Sequence, residues 1–363
     1  MSGPLLALLA LLVGAPTPGL LVEVELLSSR PATSLSVEGP GGRRDLSARD
    51  GQVLLGGRPA GPVLRLEAAR WQVRLPSGEE RELDGALELR AAPGWLRLIA
   101  RIELERYVAW TVASETEPGT PAEALRAQAV VARSYARAAG RRHADVDLCD
   151  LAHCQVLRGR LGERHLAAAH RAAEATRGQL LRLASGRIAL APFHAACGGQ
   201  TGDPLELFGG EGTGAGSVPD PGCPASPWRA VVPLPVFEAV VAERLGAAAP
   251  PERLEWRRGR GGYLVQVALG GAVTGGEGLA RALDGRLGHR AVRSSRFTVT
   301  RVAKGLLLEG SGFGHGVGLC QAGAVRRAAA GAGWREILAV YFPQARIEPI
   351  QAKNSTRSIS PLP

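Results

Sequence analysis

From about Leu21 to Arg101 apolar and polar residues alternate in short runs between turn signals such as Gly39-Pro40-Gly41-Gly42, Arg49-Asp50-Gly51 and Pro76-Ser77-Gly78. That period predicts short antiparallel strands with one buried face. At Leu104 the period becomes helical and stays so to about Arg141: Leu104, Tyr107, Val108, Thr111 and Val112 recur on one helix face, and Glu115 falls on it too. Thr120-Pro121-Ala122-Glu123 reads as an N-cap, a proline at the first helical position and a reciprocal capping glutamate, opening a second helix with Leu125, Ala129, Ala132 and Ala136 as its apolar stripe. Further on, helices are expected over Gly162–Thr176 and Val236–Leu245 and after Gln321 and Gly333. Strands are expected over Gln179–Leu183, Ile188–His194, Leu264–Leu269 and Phe297–Val302, and an irregular glycine-rich loop over Gly209–Gly222. The fold class is therefore α+β, with a β-rich N-terminal part followed by a mixed helix and strand body. No internal repeat is evident.

The helical pattern also locates a candidate site. A carboxylate on the buried side of a helix is costly unless it is paired, protonated or working, which singles out Glu115 at the corner between the two helices. Arg133 interrupts the stripe of the second helix, so the two helices are expected to direct an acid and a cation inward together. The alternatives for Arg133 are a contact to substrate or an outward, solvated position.

Composition narrows the class. With 363 residues, 45% hydrophobic and 21% charged, the chain can bury a sizeable core. The 48 glycines and 25 prolines fall short of a low-complexity level. The net charge of +10 is carried by arginine, since Lys304 and Lys353 are the lysines. Basic residues are not interleaved with aromatics in a stripe, so no nucleic-acid partner is expected. The apolar run Leu5–Val13 is too short to span a bilayer and is followed by the small residues Gly14 and Ala15, which reads as a signal peptide over 1–15 and an exported chain: periplasmic, cell-wall associated or secreted. An uncleaved N-terminal anchor is the alternative. No later segment reads as a membrane span, so a multi-pass membrane protein is excluded. The expected organisation is 16–101 as the β-rich region, 102–350 as the body and 351–363 as a disordered tail.

Several blocks in order carry a resemblance. They are V-A-S-E-T-E-P-G-T-P-A-E-A-L-R-A-Q-A-V-V-A-R-S-Y-A from Val112, H-A-D-V-D-L-C-D-L-A-H-C-Q from His143 and F-H-A-A-C-G-G-Q-T from Phe193. G-S-G-F-G-H-G-V-G-L-C-Q-A-G-A from Gly310 and W-R-E-I-L-A-V-Y-F-P-Q-A from Trp334 follow. Together they resemble the SpoIID/LytB family of bacterial cell-wall proteins, whose founding member is a lytic transglycosylase. The resemblance spans about Ile102 to Ile347. Thr116 and Glu117 depart from it, since the family more often has Met and Pro there.

The resemblance implies peptidoglycan glycan strands as substrate and cleavage of the MurNAc–GlcNAc bond without water, with the muramyl 6-hydroxyl as nucleophile. One carboxylic acid then suffices, and by resemblance it is Glu115, with Arg133 beside it. Other family activities are open: a wall-binding activator of amidases, which would add a cell-wall amidase as partner, or a hydrolytic muramidase. His143, Cys149, His153 and Cys154 form a tetrahedral donor set with no open position, and by resemblance they hold structural zinc. The rival for that block is a Cys149–Cys154 disulfide.

Cys197 and Cys223 flank the glycine-rich loop and either bridge it or remain thiols, while Cys320 reads as packed. In Gly310–Leu319 the glycines Gly310, Gly312, Gly314, Gly316 and Gly318 alternate with larger residues. As an extended strand this would present a bare face to a sugar chain. Gly314, His315, Gly316 and Gln321, with Gly198, Gly199 and Thr201 of the other glycine turn, are the expected substrate-groove residues.

Overall fold

The computed structural model describes residues 20–351 except 30–31, 69, 144, 159–161 and 210–211. The expected signal segment and nearly all of the expected C-terminal tail lie outside the described residues.

The N-terminal alternation forms two antiparallel layers. One sheet has the order 58–59, 52–55, 42–49, 34–39, 70–74, 80–84; the other runs 21–26, 95–103, 86–92, 63–66 and gains a short parallel strand, Leu148–Cys149, on its outer edge. Val24, Val37, Val53, Trp71 and Leu89 fill the space between them. This core does not stop at the expected boundary near residue 101. Strand Trp95–Glu103 runs directly into helix α1, Leu104–Glu115, and Glu103 caps it by accepting from the Arg106 amide at 3.0 Å. Helix α2 (Ala122–Ala138) and helix α3 (Glu163–Ala175) complete this half, burying Tyr107, Trp110, Leu125 and Ala169 on the same core.

The opposite face of α2 serves a second core. Ala127, Val130 and Val131 pack there with Leu181, Val317, Leu319, Ile337 and Tyr341. An antiparallel pair, Gln179–Leu183 with Ala345–Pro349, and a parallel pair, Phe193–His194 with Leu319–Cys320, frame it. A third core is built on two three-stranded sheets, 227–232/305–311/297–302 and 255–258/264–269/272–275. Helices α4 (Pro204–Phe208), α5 (Leu234–Leu245) and α6 (Gly276–Leu287) come in this region, and Phe237, Val267, Leu279 and Leu308 are in that core. Helices α7 (Gln321–Ala329) and α8 (Trp334–Tyr341) close the chain onto the second core.

Two local expectations change. The expected strand Ile188–His194 shrinks to Phe193–His194, because Pro192 offers no amide to a ladder. The reciprocal cap at Thr120 does not form: the Thr120 hydroxyl donates to the Glu117 carbonyl at 2.7 Å. Glu123 instead accepts the Trp334 amide at 2.9 Å, stitching α2 to the start of α8.

Candidate functional site

Glu115 ends α1 as expected, half-buried at the corner before α2. The Val156 amide donates to its Oε1 at 2.6 Å, and Gln321 Nε2, from the first residue of α7, donates to its main-chain carbonyl at 2.9 Å. Three blocks distant in sequence thus meet at this residue. Burial pushes its carboxyl up to about 7, opposed by the Val156 hydrogen bond and the nearby Arg158 charge. His165 adds a contact on the adjoining backbone, 3.0 Å from the Thr116 carbonyl.

Arg133 does not join it. Its side chain is fully buried and forms a forked pair with Glu105, Nε to Oε1 at 2.9 Å and Nη2 to Oε2 at 2.5 Å. It also donates to the Ala173 carbonyl at 3.1 Å and the Gln179 carbonyl at 3.2 Å. The stripe does direct a cation inward, but toward the first turn of α1, whereas Glu115 is at the last. Here Arg133 locks α1, α2, α3 and the strand at 179–183 together, so the expected acid–cation couple is Glu105–Arg133.

His143, Cys149, His153 and Cys154 converge as expected. One donor atom from each lies within 4.8 Å of all the others. His143 Nε2 is 3.2 Å from Cys154 Sγ, and Cys149 Sγ is 3.2 Å from His153 Nε2. Metal–sulfur bonds of about 2.3 Å and metal–nitrogen bonds of about 2.0 Å in a tetrahedron need donor separations of this order. Both thiols are free rather than bridged, so the residues fit a metal ion. The segment is anchored from outside: the Cys149 strand pairs in parallel with Val24–Glu25, and Asp150 accepts the Leu27 amide at 2.9 Å and Arg81 Nη1 at 2.7 Å. The same segment continues to Val156, whose amide meets Glu115.

The glycine block departs from expectation. Strand ends at Ser311 and resumes only at Leu319; between them Gly312, Gly314, Gly316 and Gly318 have φ of 82°, 96°, 79° and 76°, a left-handed region that an alternating strand does not use. Their missing side chains make room for protein. A Cβ at Gly316 would lie 2.1 Å from the Tyr263 ring, one at Gly318 2.0 Å from the Pro192 carbonyl oxygen, and one at Gly314 3.0 Å from the His194 Cβ. Gly314 and Gly316 therefore face protein, not a sugar groove. Gly198 likewise packs against Gly312, while Gly199 opens to free space. Thr201 is fully buried, its hydroxyl donating to the Gly216 carbonyl at 2.9 Å and accepting the Val218 amide at 2.8 Å. It holds the loop rather than a ligand.

His315 is half-buried. The Val317 amide donates to its Nδ1 at 3.1 Å, which fixes the tautomer. Burial and the neighbouring His194 hold it neutral, down to about 3. Phe208, partly exposed on α4, stands with its ring centroid 5.2 Å from that of His315.

Two residues of α6 had no signal in the sequence. Glu277 is pushed up to about 7 by burial, with Arg281 opposing. Burial first, and the Arg281 charge in the same direction, lower the pKa of both His153 and His315. The three glycines and short stripe of Leu279, Ala280 and Leu283 in α6 hide that helix from pattern reading.

The segment 94–182 matches the family model for SpoIID, Stage II sporulation protein. It holds Glu115, Arg133 and all four histidine and cysteine donors. An uncharacterized protein of Brachyspira hyodysenteriae is 28% identical over 261 residues, covering 68% of this chain. The chain spans 66% of that relative's length. Among the described residues no helix is long and apolar enough to cross a membrane.

Proposed function

We propose that this is an exported peptidoglycan lytic transglycosylase in which Glu115 is the single acid and base. The observation that carries the reading is the environment of that carboxyl, raised to about 7 by burial and checked by one amide and one arginine. Near neutrality both protonation states are then populated, as a group with two successive duties requires. As acid, Glu115 gives its proton to the glycosidic oxygen between N-acetylmuramic acid and N-acetylglucosamine while the bond to the muramyl C1 breaks. As carboxylate it takes the proton of the muramyl 6-hydroxyl while that oxygen bonds C1, closing the 1,6-anhydro ring. Val156 N–H and Arg158 stabilise the carboxylate between the steps. No water enters and no second carboxylate is needed.

Phe208 and His315, with Gly199 and Gln321, are assigned to the groove. A partly exposed aromatic ring suits the apolar face of a sugar. His143, Cys149, His153 and Cys154 hold zinc, a structural ion there because four protein donors leave no coordination place for a reacting water. With an ion held there, these four side chains would crosslink the segment that presents Val156 to Glu115.

Mass analysis of purified glycan strands after incubation with the protein tests the proposal. Anhydromuramyl ends are expected. Reducing ends would identify a muramidase instead, and intact strands with a stimulated amidase would identify a wall-binding activator.

A further inference from the structure

A second cluster of ligand-type side chains lies apart from the histidine block. Cys197, Asp220, Cys223 and Cys320 come from three segments, the glycine turn after Phe193–His194, the end of the glycine-rich loop, and the residue before α7. One donor atom of each lies within 4.8 Å of all the others. Cys197, Asp220 and Cys320 are completely buried and Cys223 is 6% exposed. Cys320 Sγ is 3.5 Å from Cys223 Sγ, and Cys197 Sγ is 3.5 Å from Asp220 Oδ2. Sulfurs bound at about 2.3 Å around one tetrahedral ion stand at such separations.

The surroundings are arranged for negative sulfur. Cys320 Sγ accepts two main-chain amides, from Cys197 and Gly323, each at 3.3 Å, and it caps α7, whose N-terminus favours an anion. Asp220 is oriented through its other contacts, Arg327 Nη2 to Oδ1 at 3.0 Å and the Tyr341 hydroxyl to Oδ2 at 2.7 Å, as supporting groups orient a ligating carboxylate. Gly323 is what admits it: a Cβ there would stand 2.0 Å from Asp220 Oδ2 and 2.1 Å from the Tyr341 hydroxyl. A disulfide would use two of the three sulfurs and leave one thiol and one carboxylate buried beside it.

We propose that Cys197, Cys223 and Cys320, with Asp220 as fourth ligand, form a second metal site for a zinc-class divalent ion. Three thiolates and one carboxylate oxygen suit a borderline-soft ion in tetrahedral coordination. Binding releases the three thiol protons to solvent, including those that Cys197 now donates to Asp220 and Cys223 to the Pro224 carbonyl. Two charges on the ion against four on the ligands leave an excess of negative charge, which Arg327 and the α7 N-terminus offset. The site is closed and structural. It pins the glycine turn to the N-cap residue of α7, one residue before Gln321, which holds the Glu115 carbonyl.

The test is the number of zinc ions per chain by native mass spectrometry, on full-length protein refolded with Zn2+ and a reductant. The wild type is expected to hold one ion more than Cys223→Ser. With both sites filled the counts are two and one; if the histidine block held none they would be one and zero, so failure of that block is separable from failure here. Equal counts, or a disulfide among the three cysteines after purification without reductant, overturn the proposal. Should Cys223→Ser not fold, the Cys149→Ser/Cys154→Ser protein decides: one ion retained in it supports the site, and none overturns it.

Discussion

Gln321 Nε2 donates to the main-chain carbonyl of Glu115 at 2.9 Å, across 206 positions of sequence. That carbonyl lies in the last turn of α1, where no following amide of the same helix can reach it. The hydrogen bond therefore caps α1 and ties the acid to the second core. Gln321→Ala should lower glycan cleavage by about five- to thirtyfold, on the order of 1–2 kcal/mol for one hydrogen bond at a positioned group. Because Gln321 acts through Glu115, the pH profile should move with the rate. A lowered melting temperature with unchanged profile and rate would assign Gln321 to stability alone.

Glu115→Gln should reduce cleavage by at least about 100-fold, since the amide keeps the shape but cannot exchange a proton. It also carries a pH signature. The folded carboxyl is raised from the ordinary 4.5 to about 7, so its contribution to stability is fully present below pH 4.5 and is lost as pH rises through about 7. The amide of the variant has nothing to ionise. The variant should gain on the wild type between pH 5 and pH 8, by about 1–3 kcal/mol after allowance for partial exposure. Thermal melts of both proteins across that range check it; parallel curves would show an ordinary carboxyl. Wild-type cleavage should correspondingly decline above about pH 7, as the acid form is lost.

Arg133→Met should be a stability variant. Removing one partner of a buried pair leaves Glu105 uncompensated and costs about 3–5 kcal/mol. Denaturant melts measure that loss. The rate per folded molecule should stay within about threefold, and a hundredfold loss at full stability would return Arg133 to the active site.

These contrasts show what is legible in a single chain. Tyr107, Val108 and Val112 announce the buried face of α1 because a helix repeats locally, and Glu115 stands out against that repeat. Arg133 also stands out, but its choice of Glu105 over Glu115 depends on which turns of two helices face each other. The glycines from Gly310 to Gly318 alternate as a strand would. Gly312, Gly314, Gly316 and Gly318 instead take positive φ, and His194, Tyr263 and Pro192 occupy the space a Cβ would need at Gly314, Gly316 and Gly318, contacts that no spacing encodes. Cys320 looks like a packed thiol until the fold brings Cys197 and Cys223 beside it.

Gly316→Ala accordingly should damage the fold rather than the groove. The new methyl would meet the Tyr263 ring at 2.1 Å, and the φ of 79° is strained for any side chain. A loss of about 2–4 kcal/mol is expected. Glycan affinity of the folded fraction should be unchanged, and weakened affinity at wild-type melting temperature would restore the sugar-facing role.

Loss of the ion at the histidine block should reach Glu115 through the chain itself. Cys154 is a ligand, and Val156, two residues on, donates to Glu115 Oε1 at 2.6 Å. Cys149→Ser/Cys154→Ser removes two donors while leaving the cysteine cluster around Asp220 intact, which a chelator would not do. With the ion gone the 145–156 segment keeps its parallel pairing at Val24–Glu25 and the Asp150 contacts, but not the crosslink between its two ends. Amide exchange at Val156 should therefore rise by at least about tenfold while the β-rich core at Val37 and Leu89 remains protected. Cleavage should fall in parallel, because the amide that steadies the carboxylate after proton transfer is no longer held in place. Unchanged exchange at Val156 with reduced cleavage would separate the metal from the acid and leave the ion a purely local role.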